Sequence, residues 1–243
     1  MTQNLSIALL DISPTWEDFH FEPLYGKFHV IRVCVSRNIH EIEAQLRLLK
    51  NEEIDKHARI FKQSDKNIFL TSQVMKRVLC GLYLKISPAE TNFLFTEHKK
   101  PYVSGYPNFH FNISHSGDWV VFLFSSSPCG IDIEKIKPDF DFEGMMPSVF
   151  HPREIDWING QPDRNRAFFK LWTIKESLLK AQGTGLIDDL NQWDLTSTQK
   201  MSDPDWHVQT FSVGDDYYLS TCVKDHPREF KYFEFAGSFD FSS

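Results

Sequence analysis

The sequence predicts an α+β protein made of two similar halves, residues 1–125 and 126–243. The same element order, strand, loop, helices and then strands, runs through the chain twice. Two long segments, near residues 65–84 and 164–182, carry an apolar stripe at helical spacing. Each is followed by three short runs rich in β-branched and aromatic residues. No repeat of individual residues accompanies this order, so the correspondence is one of elements. A length of 243 residues fits one large domain or two packed halves. The expectation is a pseudo-two-fold pair of α/β halves, each a small, mostly antiparallel sheet packed on a long helix, with a shared site at their junction.

Taken in order, Ile7-Ala8-Leu9-Leu10 reads as an opening strand and residues 28–35 as a longer one. Pro14, Pro23 and Gly26 mark the loop between them. Residues 39–61 turn helical through Ile42, Leu46 and Leu49, with a second entry near Asn51. A further helix starts at Ser64 or Asp65, either one an N-cap, and runs to Leu84 before Ser87-Pro88. Residues 92–95, 109–113 and 119–125 read as strands, the last two joined by Ser116-Gly117-Asp118. Ser126-Ser127-Pro128 leads into a strand at Gly130. Pro152 opens a short helix to Ile158, broken at Asn159-Gly160-Gln161-Pro162. The long helix from Arg164 to Gln182 stops at Gly183 and Gly185. Strands at 207–213, 217–223 and 230–235 finish the chain, with Gly214-Asp215-Asp216 as a hairpin turn.

Composition narrows the function. A net charge of −7 argues against a nucleic-acid partner, since phosphate backbones want a basic face. Cys34, Cys80, Cys129 and Cys222 lie far apart without CxxC spacing, the pattern of reduced thiols in a cytoplasmic protein. Neither a basic leader nor an apolar run of membrane-spanning length stands in the chain, so no membrane partner is expected.

Chemistry gathers at Gly130-Ile131-Asp132-Ile133-Glu134. Side chains alternate along a strand, so Asp132 and Glu134 project together, about 7 Å apart at Cα, while Ile131 and Ile133 face a core. The bland reading is an edge strand carrying solubilising charge. A third acid, Glu176, comes from the long helix. There Ala167, Leu171, Ile174, Leu178 and Ala181 form the core face, each within about 40° of the direction of Ala167. Phe169, Trp172, Glu176, Leu179 and Lys180 form a second face, too apolar to be simply solvated. Glu176 and Lys180 stand i, i+4, a spacing that favours an ion pair. Three carboxylates from strand and helix suit a divalent cation that keeps waters and accepts phosphate oxygens.

Trp172-Thr-Ile-Lys175-Glu176-Ser177-Leu-Leu-Lys180, followed by Gly183-Thr-Gly185-Leu186, resembles the W-x-x-K-E-S-x-x-K…G-x-G-L signature of the Sfp-type 4′-phosphopantetheinyl transferases. Gly130-Ile-Asp132-Ile-Glu134-Lys135 is similar to that family's G-I-D-I-E segment. Phe111-Asn112-Ile113-Ser114-His115-Ser116-Gly117 is similar to its F-N-I-S-H-S-G stretch, and Lys99-Lys100-Pro101 to its G-K-P element. The resemblance is strong from Lys100 to Leu186, weaker over residues 59–77 and faint at both ends. It implies a monomeric enzyme of two α+β halves that binds coenzyme A between them. The reaction implied is transfer of 4′-phosphopantetheine to a serine of an apo acyl or peptidyl carrier protein, with release of adenosine 3′,5′-bisphosphate.

The resemblance further implies that Asp132, Glu134 and Glu176 hold Mg²⁺, with Mn²⁺ an alternative, and that Glu134 or Glu176 takes the serine proton. Lys180 and Lys175 are candidates for the pyrophosphate, with Lys180 favoured by its place beside Glu176. Ser114 and His115 match phosphate-binding positions, and Lys100 a lysine near the nucleotide. Where the family carries an arginine after the aspartate matched by Asp65, this chain has Ile68. Lys56, Arg59, Lys62 or Lys66 would then supply charge to the 3′-phosphate, or preference for coenzyme A over its 3′-dephospho form would fall. Residues 140–150, with Met145, Met146 and Val149, form a candidate docking segment for the carrier. A Ser114-His115-Asp118 triad is set aside because adjacent strand residues face opposite ways. Two other readings remain at this level: another metal-dependent enzyme cleaving phosphodiesters, and an inactive binding protein of the same fold.

Overall fold

The computed structural model of the protein describes residues 5–9, 13–185, 190–196, 205–224 and 229–237. Leu10 and Leu186, named above in the opening strand and the glycine turn, lie outside the described residues. In chain order the first part comprises β1 (Leu5–Leu9), β2 (Glu17–Asp18), β3 (Phe28–Cys34), α1 (Val35–Glu43), α2 (Asn51–Arg59) and α3 (Gln63–Leu84). Then follow β4 (Phe93–Phe95), β5 (Pro101–Val103), β6 (His110–Ser116), β7 (Trp119–Ser125) and β8 (Cys129–Lys135). The rest is α4 (Met146–Val149), α5 (Pro152–Asn159), α6 (Arg164–Gln182), β9 (Trp206–Val213), β10 (Tyr217–Lys224) and β11 (Phe230–Phe235).

Local chemistry sets the ends of the long helices. The Asp163 carboxylate accepts the Arg166 N–H at 2.9 Å and so caps the start of α6. Gly183, at φ 69°, closes it in the left-handed region with its N–H on the Leu179 carbonyl. α3 starts at Gln63, ahead of the expected serine or aspartate cap, and ends at Lys85 in the left-handed region. The helical stretch expected over residues 39–61, with its second entry near Asn51, is two helices, the second starting at Asn51, parted by a 3₁₀ turn at Leu46–Leu48.

Two sheets pack face to face. The first has the order β2-β11-β3-β7-β6 and the second β1-β9-β10-β8, with β4-β5 as a separate ribbon. Phe28, Val30, Val121 and Leu123 of the first meet Ile131, Ile133, Phe211 and Leu219 of the second in a shared core. The alternate residues of β7, Val120, Phe122 and Phe124, point outward to α3 and its Leu70, Val74 and Leu79. α6 covers the outer face of the second sheet with Ile174, Leu178 and Ala181. The order of layers is helix, sheet, sheet, helix. β7 is hydrophobic without alternation because both its faces are covered.

Two expectations change. The sheets are mixed, with antiparallel pairings in the majority: β11 runs parallel to β2 and β3, and β1 parallel to β9. These strands come from the chain ends and arrive by long connections, so no hairpin dictates their direction. β1, expected to open the first set of strands, lies in the second sheet, while β11 lies inside the first. The candidate docking segment is largely core. Phe142, Met146, Val149 and Phe150 are buried against α6, with the Phe142 and Phe168 rings stacked at 4.6 Å.

Candidate active site

The site lies on the seam where β6, the edge of the first sheet, meets β8, the edge of the second. Three alternate residues of β6 each accept a backbone N–H of β8. Asn112 Oδ1 accepts Ile131 N–H at 2.8 Å, Ser114 Oγ accepts Ile133 N–H at 3.4 Å, and Ser116 Oγ accepts Lys135 N–H at 3.0 Å. Side chains thus stand in for a backbone ladder between the sheets. On β8, Ile131 and Ile133 point into the shared core, and Asp132 and Glu134 point to the other face, as strand alternation requires.

That other face meets α6 at very close range. A Cβ on Gly130 would stand 2.1 Å from the Ser177 carbonyl oxygen and 2.3 Å from the Ala181 nitrogen. Only glycine lets helix and strand backbones touch there. The contact brings Glu176 and Lys180 over Asp132. Lys180 Nζ donates to Asp132 Oδ1 at 2.6 Å and to Ser114 Oγ at 3.0 Å, and Ser114 Oγ donates to the same Asp132 oxygen at 2.8 Å. Ser116 Oγ donates to Glu134 Oε2 at 2.9 Å. The expected Glu176–Lys180 pair is replaced: among the described residues the ion pair of Lys180 is with Asp132. The lysine prefers the buried carboxylate, which has less water to solvate it.

Asp132 Oδ2 is buried with no hydrogen-bond partner in the protein. Burial, with Asp132 adding, raises Glu134 above the ordinary carboxylate range, against the pull of Ser116, Trp172 and Lys180. Burial pushes Glu176 up to about 6; Lys180 opposes this, and Asp132 and Glu134 reinforce it. Two carboxyls raised by burial, Glu134 and Glu176, beside the orphaned Asp132 oxygen form a donor set suited to a hard divalent cation. The set is open, however: among the described residues no group of three or more His, Cys, Asp or Glu side chains stands close enough to hold a metal. Asp132 is instead paired with the Lys180 ammonium, and Glu134 accepts the Ser116 hydroxyl. The donor chemistry fits a metal; the closed geometry expected from the sequence is not present.

A cavity of about 270 Å³ is lined by Ile113, Ser114, His115, Asp132, Glu134, Trp172, Glu176 and Lys180. A second, of about 290 Å³, shares Ile113, Glu176 and Lys180 with it and runs on to His98, Lys99, Lys100, Pro101, Asn112, Leu179, Gly183 and Gly185. Together they form a groove along the seam, lined in part by the β4–β5 turn.

The structure thus gathers Asp132, Glu134, Glu176, Lys180, Ser114 and His115, with His115 on the exposed rim. Lys175 is elsewhere. It is fully buried, 2.6 Å from Glu154 Oε2, and donates to the carbonyls of Val149, Leu190 and Trp193 at 2.9 to 3.0 Å. The 100° step between successive helix residues turns it from Glu176 into the core. Lys100 lines the groove with its stem, but its ammonium donates to three backbone carbonyls. Lys56 lies on α2 with its ammonium 5.3 Å from the Phe69 ring centre, and Ile68 packs against the first core. Asn112 and Ser116, beyond their places in the motif and the turn, join Ser114 in holding the seam. Their period of two with Ser114 was the available signal.

A family model described as the 4′-phosphopantetheinyl transferase superfamily matches residues 128–222, and one described as the N-terminal part of 4′-phosphopantetheinyl transferase matches residues 36–127. The chain is 30% identical over 197 residues to a 4′-phosphopantetheinyl transferase of Bacillus subtilis, covering 77% of this chain and 87% of the relative. Similarity to the 4′-phosphopantetheinyl transferase Sfp of Bacillus subtilis strain 168 has the same extent and identity. To the 4′-phosphopantetheinyl transferase gsp of Aneurinibacillus migulanus it is 40% identical over 112 residues, 44% of this chain and 46% of the relative. The chain belongs to the 4′-phosphopantetheinyl transferase superfamily, enzymes that move phosphopantetheine from coenzyme A to a carrier protein.

Proposed function

We propose that the seam groove carries out this transfer with Asp132, Glu134 and Glu176 as metal ligands and Lys180 as the cation facing the pyrophosphate of coenzyme A. The observation that carries the reading is the buried, unpartnered Asp132 oxygen beside two carboxyls raised in pKa and one lysine. In the reaction a serine hydroxyl of the carrier attacks the phosphorus that bears the pantetheine. The bond from that phosphorus to the bridging oxygen breaks, and adenosine 3′,5′-bisphosphate leaves. Mg²⁺, with Mn²⁺ able to replace it, would neutralise charge on the pyrophosphate. Ser114 holds Asp132 and Lys180 in register, and Ser116 holds Glu134. Glu134 or Glu176 accepts the serine proton, both being more basic than a solvated carboxylate.

The pseudo-two-fold arrangement of residues 1–125 and 126–243 is part of this proposal. The order of elements supports it, as does a long helix on the outer face of each sheet. The seam between the sheets then serves as the bed for coenzyme A. Charge for the 3′-phosphate would come from Lys56, Arg59, Lys62 or Lys66, since Ile68 brings none. The four cysteines are buried free thiols, in keeping with a reducing cytoplasm, and among the described residues no helix is long and apolar enough to cross a membrane. The enzyme is proposed to act as a monomer.

The test is to incubate the protein with coenzyme A, Mg²⁺ and an apo carrier, and to weigh the carrier by mass spectrometry. Wild-type protein adds one phosphopantetheine. Asp132→Ala loses more than the 10- to 100-fold typical of a metal's outer partners, and added Mg²⁺ does not restore it. Wild-type rates from Asp132→Ala at low Mg²⁺ would sink the ligand assignment.

A further inference from the structure

We propose that Lys100 is a positioning residue, whose ammonium clasps the C-terminal end of α6 to the first residue of β8 and so fixes the groove wall from which Lys180 works. The inference rests on the transferase reading of the groove. An ammonium has three N–H donors. Those of Lys100 meet the carbonyl oxygens of Lys180 at 2.6 Å, Cys129 at 2.9 Å and Ala181 at 3.2 Å. Lys180 and Ala181 are in the last turn of α6, whose carbonyls have no partner within the helix. That end also carries the negative pole of the helix, which favours a cation. The Leu179 carbonyl is satisfied by the Gly183 N–H, and the next two by Lys100. The third acceptor, Cys129, opens β8.

A lysine whose three donors are all on carbonyls has none left for a phosphate. Burial lowers its affinity for the proton, and among the described residues no carboxylate pairs with it, so backbone dipoles hold the charge. Its stem passes Gly183, where an added Cβ would stand 3.6 Å from Lys100 Cδ. β5 starts at the next residue, so the same contact carries the β4–β5 ribbon, whose turn lines the groove. Lys180 is thereby held at both ends: its carbonyl by Lys100, its ammonium by Asp132 and Ser114.

The test uses full-length Lys100→Met and Lys100→Arg. Steady-state rates are measured with coenzyme A and with its 3′-dephospho form, and amide hydrogen exchange is followed without either donor. A clasp predicts that Lys100→Met lowers kcat/KM for both donors by the same factor, on the order of 10- to 100-fold, as expected when a reacting group is displaced by about 1 Å. It also predicts faster exchange across the end of α6, and recovery of both effects in Lys100→Arg, whose planar fork still reaches carbonyls. A loss confined to coenzyme A, with exchange unchanged, would instead show a direct contact to the 3′-phosphate and overturn the proposal; unchanged rates and exchange would overturn it equally. If Lys100→Met does not fold, Lys100→Gln, which keeps two N–H donors, takes its place in both assays. Failure of the wild-type protein to use either donor would refute the transferase reading, and exchange alone would then judge the clasp.

Discussion

Glu176 is the residue whose protonation can be followed most directly. Burial raises it to about 6, Lys180 holds it down, and Asp132 and Glu134 push it further up. A carboxyl raised in the folded protein binds its proton more tightly there than in the unfolded chain. The stability it contributes is full below the ordinary value of 4.5 and is lost as pH rises through about 6. Carboxyl carbon NMR on metal-free protein should show a midpoint near 6. Lys180→Met should move it higher, because the opposing ammonium is gone; a midpoint at or below 4.5 in wild type would contradict the burial argument. With Mg²⁺ present the acid-side loss of transfer should lie below that midpoint, since a bound cation favours the charged carboxylate and a protonated carboxyl neither binds metal nor takes a proton. At this scale the sequence was legible where a local rule sufficed. Strand alternation put Asp132 and Glu134 on one face, and the apolar neighbours of Glu176 marked its helix face as covered. The partner of Lys180 was not legible. Helix spacing offered Glu176, four residues away, whereas the acid it meets is 48 residues away and reaches it only once α6 has packed on β8.

At the scale of elements the site depends on one approach, α6 against β8 at Gly130. Gly130→Ala puts a methyl group within 2.1 Å of a backbone oxygen, which no side-chain rotation can relieve. Strand and helix must separate, at a cost of at least about 2 kcal/mol of stability. Denaturant unfolding should show that loss, and transfer activity should drop with it as Lys180 leaves Asp132. Unchanged stability would mean that the two backbones part freely. α6 was readable because Asn159-Gly160-Gln161-Pro162 breaks the chain before it and Gly183 stops it. β2 and β5, at two and three residues, are too short to show a period. The double burial of α6 also explains the misplaced Lys175. A helix covered on two faces carries one lysine to the groove and another into the core, where Glu154 and three carbonyls hold it.

At the scale of the molecule the two sheets exchange their terminal strands: β1 completes the second sheet, and β11 sits between β2 and β3 of the first. Fragments 1–125 and 126–243, produced apart, would each lack a strand. Neither should unfold cooperatively alone, and mixing them should restore both the cooperative transition and transfer activity. A fragment with a sharp, native-like transition of its own would refute this dependence. The exchange was invisible in the sequence, because strand propensity names a strand and not its neighbour, and parallel pairing across some 200 residues leaves no local mark. It also constrains how the protein is made. On the ribosome β3 and β7 emerge early, yet the strand that lies beside β3 is encoded at residues 230–235. One edge of β3 therefore waits unpaired until residues 230–235 have been made, and the nascent chain depends on chaperones or on speed for that interval.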